Sequence, residues 1–285
     1  MRRIILLTSF FILLVSCNTD KDLSQDFITI GTFNIQWLGD GIDDQKTRTD
    51  NEIAEIANII ASTDVDILAL QEIENQEALN KITRHLPNYK SYVSNLYKKQ
   101  NVAVIYKNNI EITNINEYEP LMMDGRSRPG LAFTAKINNF EFDAMVVHLK
   151  STSRYDSTAE LKELSREMRK TQAEIISHWA DSMMGKCGKM ELAILGDFND
   201  FPTRKNNATL TPIIENPNLH FMTENERSCS NPLWLAIDHI VLSSTTKKRF
   251  REGSVFIYNF YSSLTDRETK QISDHCPISL QLSIN

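Results

Sequence analysis

Apolar residues along this chain follow two periods, and the switch between them marks the elements. Phe27–Ile35 (FITIGTFNI) alternates β-branched with smaller or polar residues and reads as a strand. In Thr49–Ala61, Ile53, Ile56, Ala57 and Ile60 recur at helical spacing. Asp64–Glu72 is predicted as a buried strand and Asn75–Leu86 as a second helix. Strands follow over Val102–Tyr106, Gly130–Ile137 and Phe140–Leu149, the last two joined as a hairpin at Asn138-Asn139. The longest helix is predicted over Thr158–Met183. Ser157 and Glu160 form its capping box, and Leu161, Leu164, Met168, Ile175 and Trp179 its apolar face. Glu191–Phe198, Ala236–Ser243, Ser254–Phe260 and Cys276–Leu282 complete the strands. Strands apolar on both faces and mixed with helices define an α/β fold in which helices cover sheets. No repeat, low-complexity run or Pro/Gly-rich linker interrupts residues 27–285, so one domain is expected there.

The N-terminus has a different pattern. Met1-Arg2-Arg3 precedes the apolar run Ile4–Val15, which is short for a bilayer span and suited to a secretory signal. The run ends in Leu14-Val15-Ser16-Cys17, which resembles the bacterial lipobox. The expectation is a signal peptide over 1–16, a lipidated Cys17, and a polar tether through residue 26. An exported protein anchored to a membrane of the cell envelope follows from that reading.

Composition adds charge and redox constraints. The chain of 285 residues has 31 Lys+Arg against 37 Asp+Glu, a net charge of −6, which becomes −8 without Arg2 and Arg3 of the leader. An acidic protein that meets a polyanion needs a local positive site, such as a metal ion. Three cysteines remain in the body, Cys187, Cys229 and Cys276. Export permits one disulfide; Cys187 with Cys229 is one pairing, three free thiols the alternative, and Cys276 reads as buried in a strand.

Polar residues with catalytic potential recur at strand ends. Asn34, Glu72, His148, Asp197 and Asn199 close predicted strands, whereas Asp238, Asp274 and His275 open them. A strand that ends at a site and one that begins there are antiparallel neighbours, so these side chains can converge on one edge.

The ordered segments TFNIQ (32–36), LQEIE (70–74), RPGL (128–131), VVHLKS (146–151), GDFND (196–200), IDHI (237–240) and SDHCP (273–277) resemble the endonuclease/exonuclease/phosphatase family, to which pancreatic deoxyribonuclease and exonuclease-III-type repair endonucleases belong. The resemblance spans about residues 27–284. It implies a four-layer α/β/β/α sandwich of two mixed sheets flanked by helices. It also implies phosphate-ester hydrolysis with a divalent metal, usually Mg2+, with Mn2+ or Ca2+ as alternatives. By similarity, Glu72 and Asp274 hold the metal, with Asn34 completing or orienting that shell. Asp197 aligns or deprotonates water, Asn199 donates to a phosphate oxygen, and Asp238 fixes the His275 imidazole. His148 contacts the phosphate or protonates the leaving oxygen, and Arg128 clamps phosphate with its planar fork. Whether Asp197 or the Asp238–His275 pair is the general base is open.

Departures from the family bear on substrate. Glu74 stands where pancreatic deoxyribonuclease carries a DNA-contacting arginine, and a carboxylate there repels phosphate. Gln100 is the nearest candidate to orient His148, in place of that enzyme's glutamate. The basic run Lys247–Arg251 follows a turn at Thr245, about 23 Å from the site at about 3.3 Å per residue, so it reads as a solvated hairpin tip. Lys150, Arg154, Arg204 and Lys205 lie nearer the site and are better placed for substrate. The expected activity is that of a phosphodiesterase, nuclease-like, monomeric and acting on nucleic acid. Sphingomyelinase-type and inositol-polyphosphate-type activities are alternatives, and a non-enzymatic binding module is a third.

Overall fold

The computed structural model describes residues 26–187 and 190–285. The predicted signal peptide and Cys17 lie outside them. In chain order the first half contains β1 (Phe27–Leu38), α1 (Asp50–Thr63), β2 (Ile67–Ile73), α2 (Gln76–Thr83), β3 (Tyr89–Val93), β4 (Asn101–Lys107), β5 (Glu111–Tyr118), β6 (Gly130–Ile137) and β7 (Phe140–His148). The second half contains α3 (Ala159–Cys187), β8 (Leu192–Asp197), α4 (Thr211–Ile214), β9 (Leu219–Phe221), β10 (Asp238–Ser243), α5 (Ser244–Lys247), β11 (Phe256–Ile257), α6 (Asp266–Ile272) and β12 (Ile278–Ser283).

The strands form two mixed six-stranded sheets, ordered β11-β12-β1-β2-β4-β3 and β5-β6-β7-β8-β10-β9. The two-residue period sorts side chains between layers. Ile28 and Ile30 of β1 and Ile67 and Ala69 of β2 meet Val146, Ala193, Leu195 and Ile240 between the sheets. Phe33, Leu68 and Leu70 face outward, onto Ile53, Ile56 and Ile60 of α1 and Leu79 of α2. Met145, Val147 and Ile194 pack outward against Ala173, Ile176 and Trp179 of α3. Three apolar clusters between four layers give the expected sandwich.

Several expectations need correction. The N-terminal cap of α3 is Thr158, whose hydroxyl accepts from the Leu161 N–H at 3.2 Å, not Ser157. Leu161 and Leu164 are exposed, and the buried face of α3 begins at Ser165 and Met168, so the first turns carry no apolar seam. The strand expected over Ser254–Phe260 shortens to Phe256–Ile257, since the Asn259 side chain accepts from the Tyr261 N–H and turns the chain into a 3-10 turn. The supposed hairpin tip at Thr245 is instead α5, capped by Ser243. The basic run that follows is engaged: Arg249 bonds Glu191 at 2.7 Å and stacks on Phe140, and Arg251 stacks on Phe27. Cys229 is bonded to Cys276, not to Cys187. The Cys187–Cys229 pairing placed Cys187 in the connection after a helix ending at Met183; α3 instead continues to Cys187.

Candidate active site

Strand register builds the site. In the second sheet β7 and β8 run parallel with His148 opposite Asp197, and β10 runs antiparallel with Asp238 opposite Asp197. Three functional side chains therefore stand abreast at one edge. In the first sheet Asn34 lies opposite Gln71, and Thr32 lies opposite Ile278 at the start of β12. Asp274 and His275 precede that start and reach the same edge. Both contributing strands of this sheet are bulged there, with left-handed backbone at Gln36, Trp37 and Glu72 (φ 56°, 70° and 65°). Such a bulge re-aims a side chain. Here it turns Glu72 toward Asn34.

The side chains form one connected set across the sheets. The Asn34 amide donates to Glu72 Oε1 at 3.3 Å and to Asp197 Oδ2 at 3.0 Å. Gln100 donates to Glu72 Oε2 at 3.1 Å. Asp197 Oδ1 accepts the Asn199 N–H at 2.8 Å, and His148 Nε2 lies 3.5 Å from Asp197 Oδ2. His275 Nδ1 meets Asp238 Oδ2 at 2.6 Å, with Asp274 3.8 Å from the other ring nitrogen. Ser273 donates to the Asn34 carbonyl at 2.7 Å and accepts the His275 N–H at 3.0 Å, which locks the two segments together. Among the described residues, Asp197, Asp238 and His275 place ligand-type atoms within 4.8 Å of one another.

Burial sets the charge states. Burial and the neighbouring Asp238 push the Asp197 carboxyl up to about 7, against the pull of His275, the Asn199 N–H and Asn34. For His275, burial opposes protonation but is outweighed by Asp238, then Asp197 and Asp274, so its pKa lies well above the ordinary imidazole range. Burial, Arg128 and His275 hold His148 well below that range. One site thus holds a proton-accepting carboxylate, an imidazolium and a neutral imidazole.

Other expected residues have partners that refine their roles. Gln100 does not reach His148; it joins Glu72 to Arg128, whose Nη2 donates to Gln100 Oε1 at 3.1 Å. His148 Nδ1 is buried and, among the described residues, has no hydrogen-bond partner. Arg128 is buried, donates to the His148 carbonyl at 3.2 Å and faces the Tyr97 ring. The Asn199 amide donates to the Leu149 carbonyl at 3.1 Å. Glu74 is buried and accepts the Asp40 N–H at 3.0 Å, so it anchors a loop instead of facing substrate. Arg204 is held by Asp200 and stacks on Phe201. Arg154 stacks on Tyr155, and Lys205 is exposed. Lys150 lines a cavity of about 390 Å³ with Arg128, Arg126 and Ser153.

Two residues that sequence reasoning missed brace the first sheet. Arg48 is half-buried and donates to the carbonyls of Ile35, Gln36 and Trp37 and, across the bulge, to those of Gln271 and Ile272. Lys46 donates to Gln36 Oε1 and the Lys270 carbonyl, both at 2.9 Å. Its pKa falls to about 8 through burial and Arg48, although Asp274 and Glu72 favour its charge. No motif announces either residue, because their partners are mostly backbone carbonyls.

The donors at Glu72 suit a hard cation. Its carboxylate accepts from two neutral amides and, among the described residues, forms no ion pair. Asp274 offers a second carboxylate that is 59% exposed. Both present the oxygen chemistry that Mg2+ selects.

Residues 31–275 match the Endonuclease/Exonuclease/phosphatase family, and the chain belongs to it, with the divalent-metal-dependent phosphoester hydrolases. No curated protein matches the chain. Among solved structures, truncated TDP2 of Caenorhabditis elegans superposes with a TM-score of 0.65 at 15% identity, covering 90% of this chain and 98% of that one. TDP2 of D. rerio complexed with a single-strand DNA product gives 0.65 at 14%, covering 90% and 99%. The mannosyl-6-phosphatase Bt3783 of Bacteroides thetaiotaomicron gives 0.60 at 16%, covering 89% and 98%. At these identities the likeness is one of fold.

Proposed function

We propose that this protein is a magnesium-dependent phosphodiesterase with nuclease-like chemistry, exported and anchored through a lipidated Cys17 and acting as a monomer. The observation that carries the activity is the hydrogen-bonded chain Glu72–Asn34–Asp197, faced by the Asp238–His275 pair. The D. rerio TDP2 complex with single-strand DNA supports a nucleic-acid substrate on this fold.

Glu72 and Asp274 would hold the cation, with Asn34 and Gln100 orienting the Glu72 carboxylate. Bound Mg2+ supplies charge neutralisation at a phosphoryl oxygen. Asp197, with a pKa of about 7, accepts the proton of the attacking water near neutrality. The imidazolium of His275, fixed by Asp238, opposes the charge that develops on the phosphoryl oxygens as the P–O bond to the leaving group breaks. His148 hydrogen-bonds phosphate as a neutral imidazole, and Arg128 braces His148 through its carbonyl. This arrangement favours Asp197 over His275 as base, because His275 already carries its proton.

The test is the full chain with Mg2+ or with chelator, offered plasmid DNA, RNA, sphingomyelin, an inositol phosphate and bis(p-nitrophenyl) phosphate. Hydrolysis of DNA or RNA and of the chromogenic diester, abolished by chelator, is expected. Hydrolysis confined to the inositol phosphate or to sphingomyelin would replace the nuclease-like reading with one of those activities. For the anchor, radiolabelled acyl chains incorporated by the parent and not by Cys17→Ala are expected; equal labelling overturns it.

A further inference from the structure

Asp238 and His275 come from different sheets, since β10 belongs to the second and β12 to the first. Their 2.6 Å contact is therefore made across the mouth of the sandwich. The loop that feeds β10, residues 224–237, is closed on itself. Ala236 N–H donates to the Glu226 carbonyl at 2.9 Å, Ser228 N–H to that of Trp234 at 3.0 Å, and Arg227 forms a bridge with Leu235. Its outward hydrogen bonds run to Thr223 and to Phe198, on the side of the second sheet. Among the described residues, no hydrogen bond or ion pair fastens this loop to the first sheet. A covalent bond does: Cys229 is joined to Cys276, the residue after His275, over a separation of 47 residues. The bond draws Cys229 onto the apolar cluster beneath β1 and β2.

We infer that the Cys229–Cys276 disulfide is a positioning element of the active site: it ties the segment before Asp238 to the segment carrying His275, and so fixes the imidazole across the sheet boundary. The inference rests on the phosphodiesterase reading only for its kinetic consequence. Both cysteines line a cavity of about 160 Å³ together with Trp234, Asp238, Asp274 and His275, so the bond borders the site itself. Dithiothreitol reduces it through a mixed disulfide. The protein bond takes up two electrons and two protons, and the reagent closes to its own cyclic disulfide.

The experiment compares the oxidised full chain, the chain reduced with dithiothreitol, and the double variant Cys229→Ser/Cys276→Ser, all in Mg2+ and below their melting temperatures. Displacement of a catalytic group by about 1 Å costs about 10²-fold in rate. A fall in kcat of that order is expected on reduction, with KM changed less than about threefold and recovery on reoxidation. The double variant is expected to be slow and indifferent to dithiothreitol. A sharp, strongly deshielded His275 Nδ1 proton in the oxidised protein is expected to broaden away on reduction. Full kcat in the reduced, folded protein overturns the inference. So does loss of native circular dichroism along with kcat, which marks a bond that holds the whole fold. If the oxidised chain hydrolyses no phosphodiester, the phosphodiesterase reading fails alone. The proton resonance then decides: its persistence after reduction removes the positioning role.

Discussion

The Asn34 side-chain amide donates to Asp197 Oδ2 at 3.0 Å, a contact between residues 163 apart that joins the two sheets at the site. Asn34 is 1% exposed and Asp197 2% exposed, so neither finds replacement solvent if the other is removed. The same amide also reaches Glu72. One asparagine therefore sets the spacing between Glu72, the proposed metal-holding carboxylate, and Asp197, the proposed water-aligning one.

Asn34→Ala leaves a buried oxygen of Asp197 and a half-buried oxygen of Glu72 short of a donor. A hydrogen bond to a charged group is worth about 1.5–3 kcal/mol, and that loss of stability is expected in urea unfolding. The larger effect is kinetic, with kcat falling about 10²-fold through misplacement of Asp197. Unchanged kcat in folded Asn34→Ala would show that Asn34 positions nothing.

Asp197→Ala and His148→Ala are expected to retain the fold, because each side chain sits at a strand end beyond the apolar clusters. Losses of about 10²–10⁴-fold in kcat are expected where a proton-transfer group is removed, so the larger should be in Asp197→Ala. Full activity in either removes that residue from the mechanism. Circular dichroism on the same samples checks the fold.

Metal-free protein gives a pH signature. Asp197 keeps its proton to about pH 7 when folded, whereas an unfolded aspartate loses it near about 3.9. Between those values the folded state binds more protons, so the contribution of Asp197 to stability falls as pH rises. For His275 the larger partner is Asp238, which Asp197→Asn leaves in place, so most of its contribution is common to both proteins. Relative to Asp197→Asn, the wild type is therefore expected to lose stability between about pH 3.9 and about pH 7. Urea midpoints in chelator measure the difference, and a flat or rising difference contradicts the charge assignment.

Gly196 precedes Asp197 with φ at 155°, and a Cβ there would lie 1.9 Å from the Val147 carbonyl oxygen. β7 and β8 approach this closely just where His148 and Asp197 stand side by side. Gly196→Ala is expected to cost at least about 3 kcal/mol, from a strained backbone together with a steric clash. A denaturation curve matching wild type would mean the strands separate freely.

Much of the site was legible because its residues mark strand ends, and period-two patterning locates strand ends well. Asn34, Glu72, His148, Asp197, Asp238 and His275 all fall at the expected edge. The bulges that re-aim Glu72 were not legible, since left-handed backbone at Gln36, Trp37 and Glu72 has no glycine to announce it. Strands β3, β5 and β9 were missed because edge strands carry polar residues such as Lys90, Asn114 and His220. Arg48 and Lys46 escaped because they serve backbone carbonyls. The disulfide depends on two loops meeting across sheets, which spacing along the chain does not encode. Gln100 was found for the wrong partner: its neighbours are Glu72 and Arg128, and only the fold brings these together.

Glu72 offers the most direct test, because its carboxylate accepts two neutral amides and carries no ion pair among the described residues. The measurement is the rate of diester hydrolysis against Mg2+ concentration for the wild type and Glu72→Gln, with Asp197→Asn as the second arm. If Glu72 holds the cation and Asp197 the water, Glu72→Gln should need at least about tenfold more Mg2+ for half-maximal rate. Asp197→Asn should lose kcat with little change in Mg2+ demand. Wild-type magnesium dependence and rate in Glu72→Gln would contradict the shared site outright.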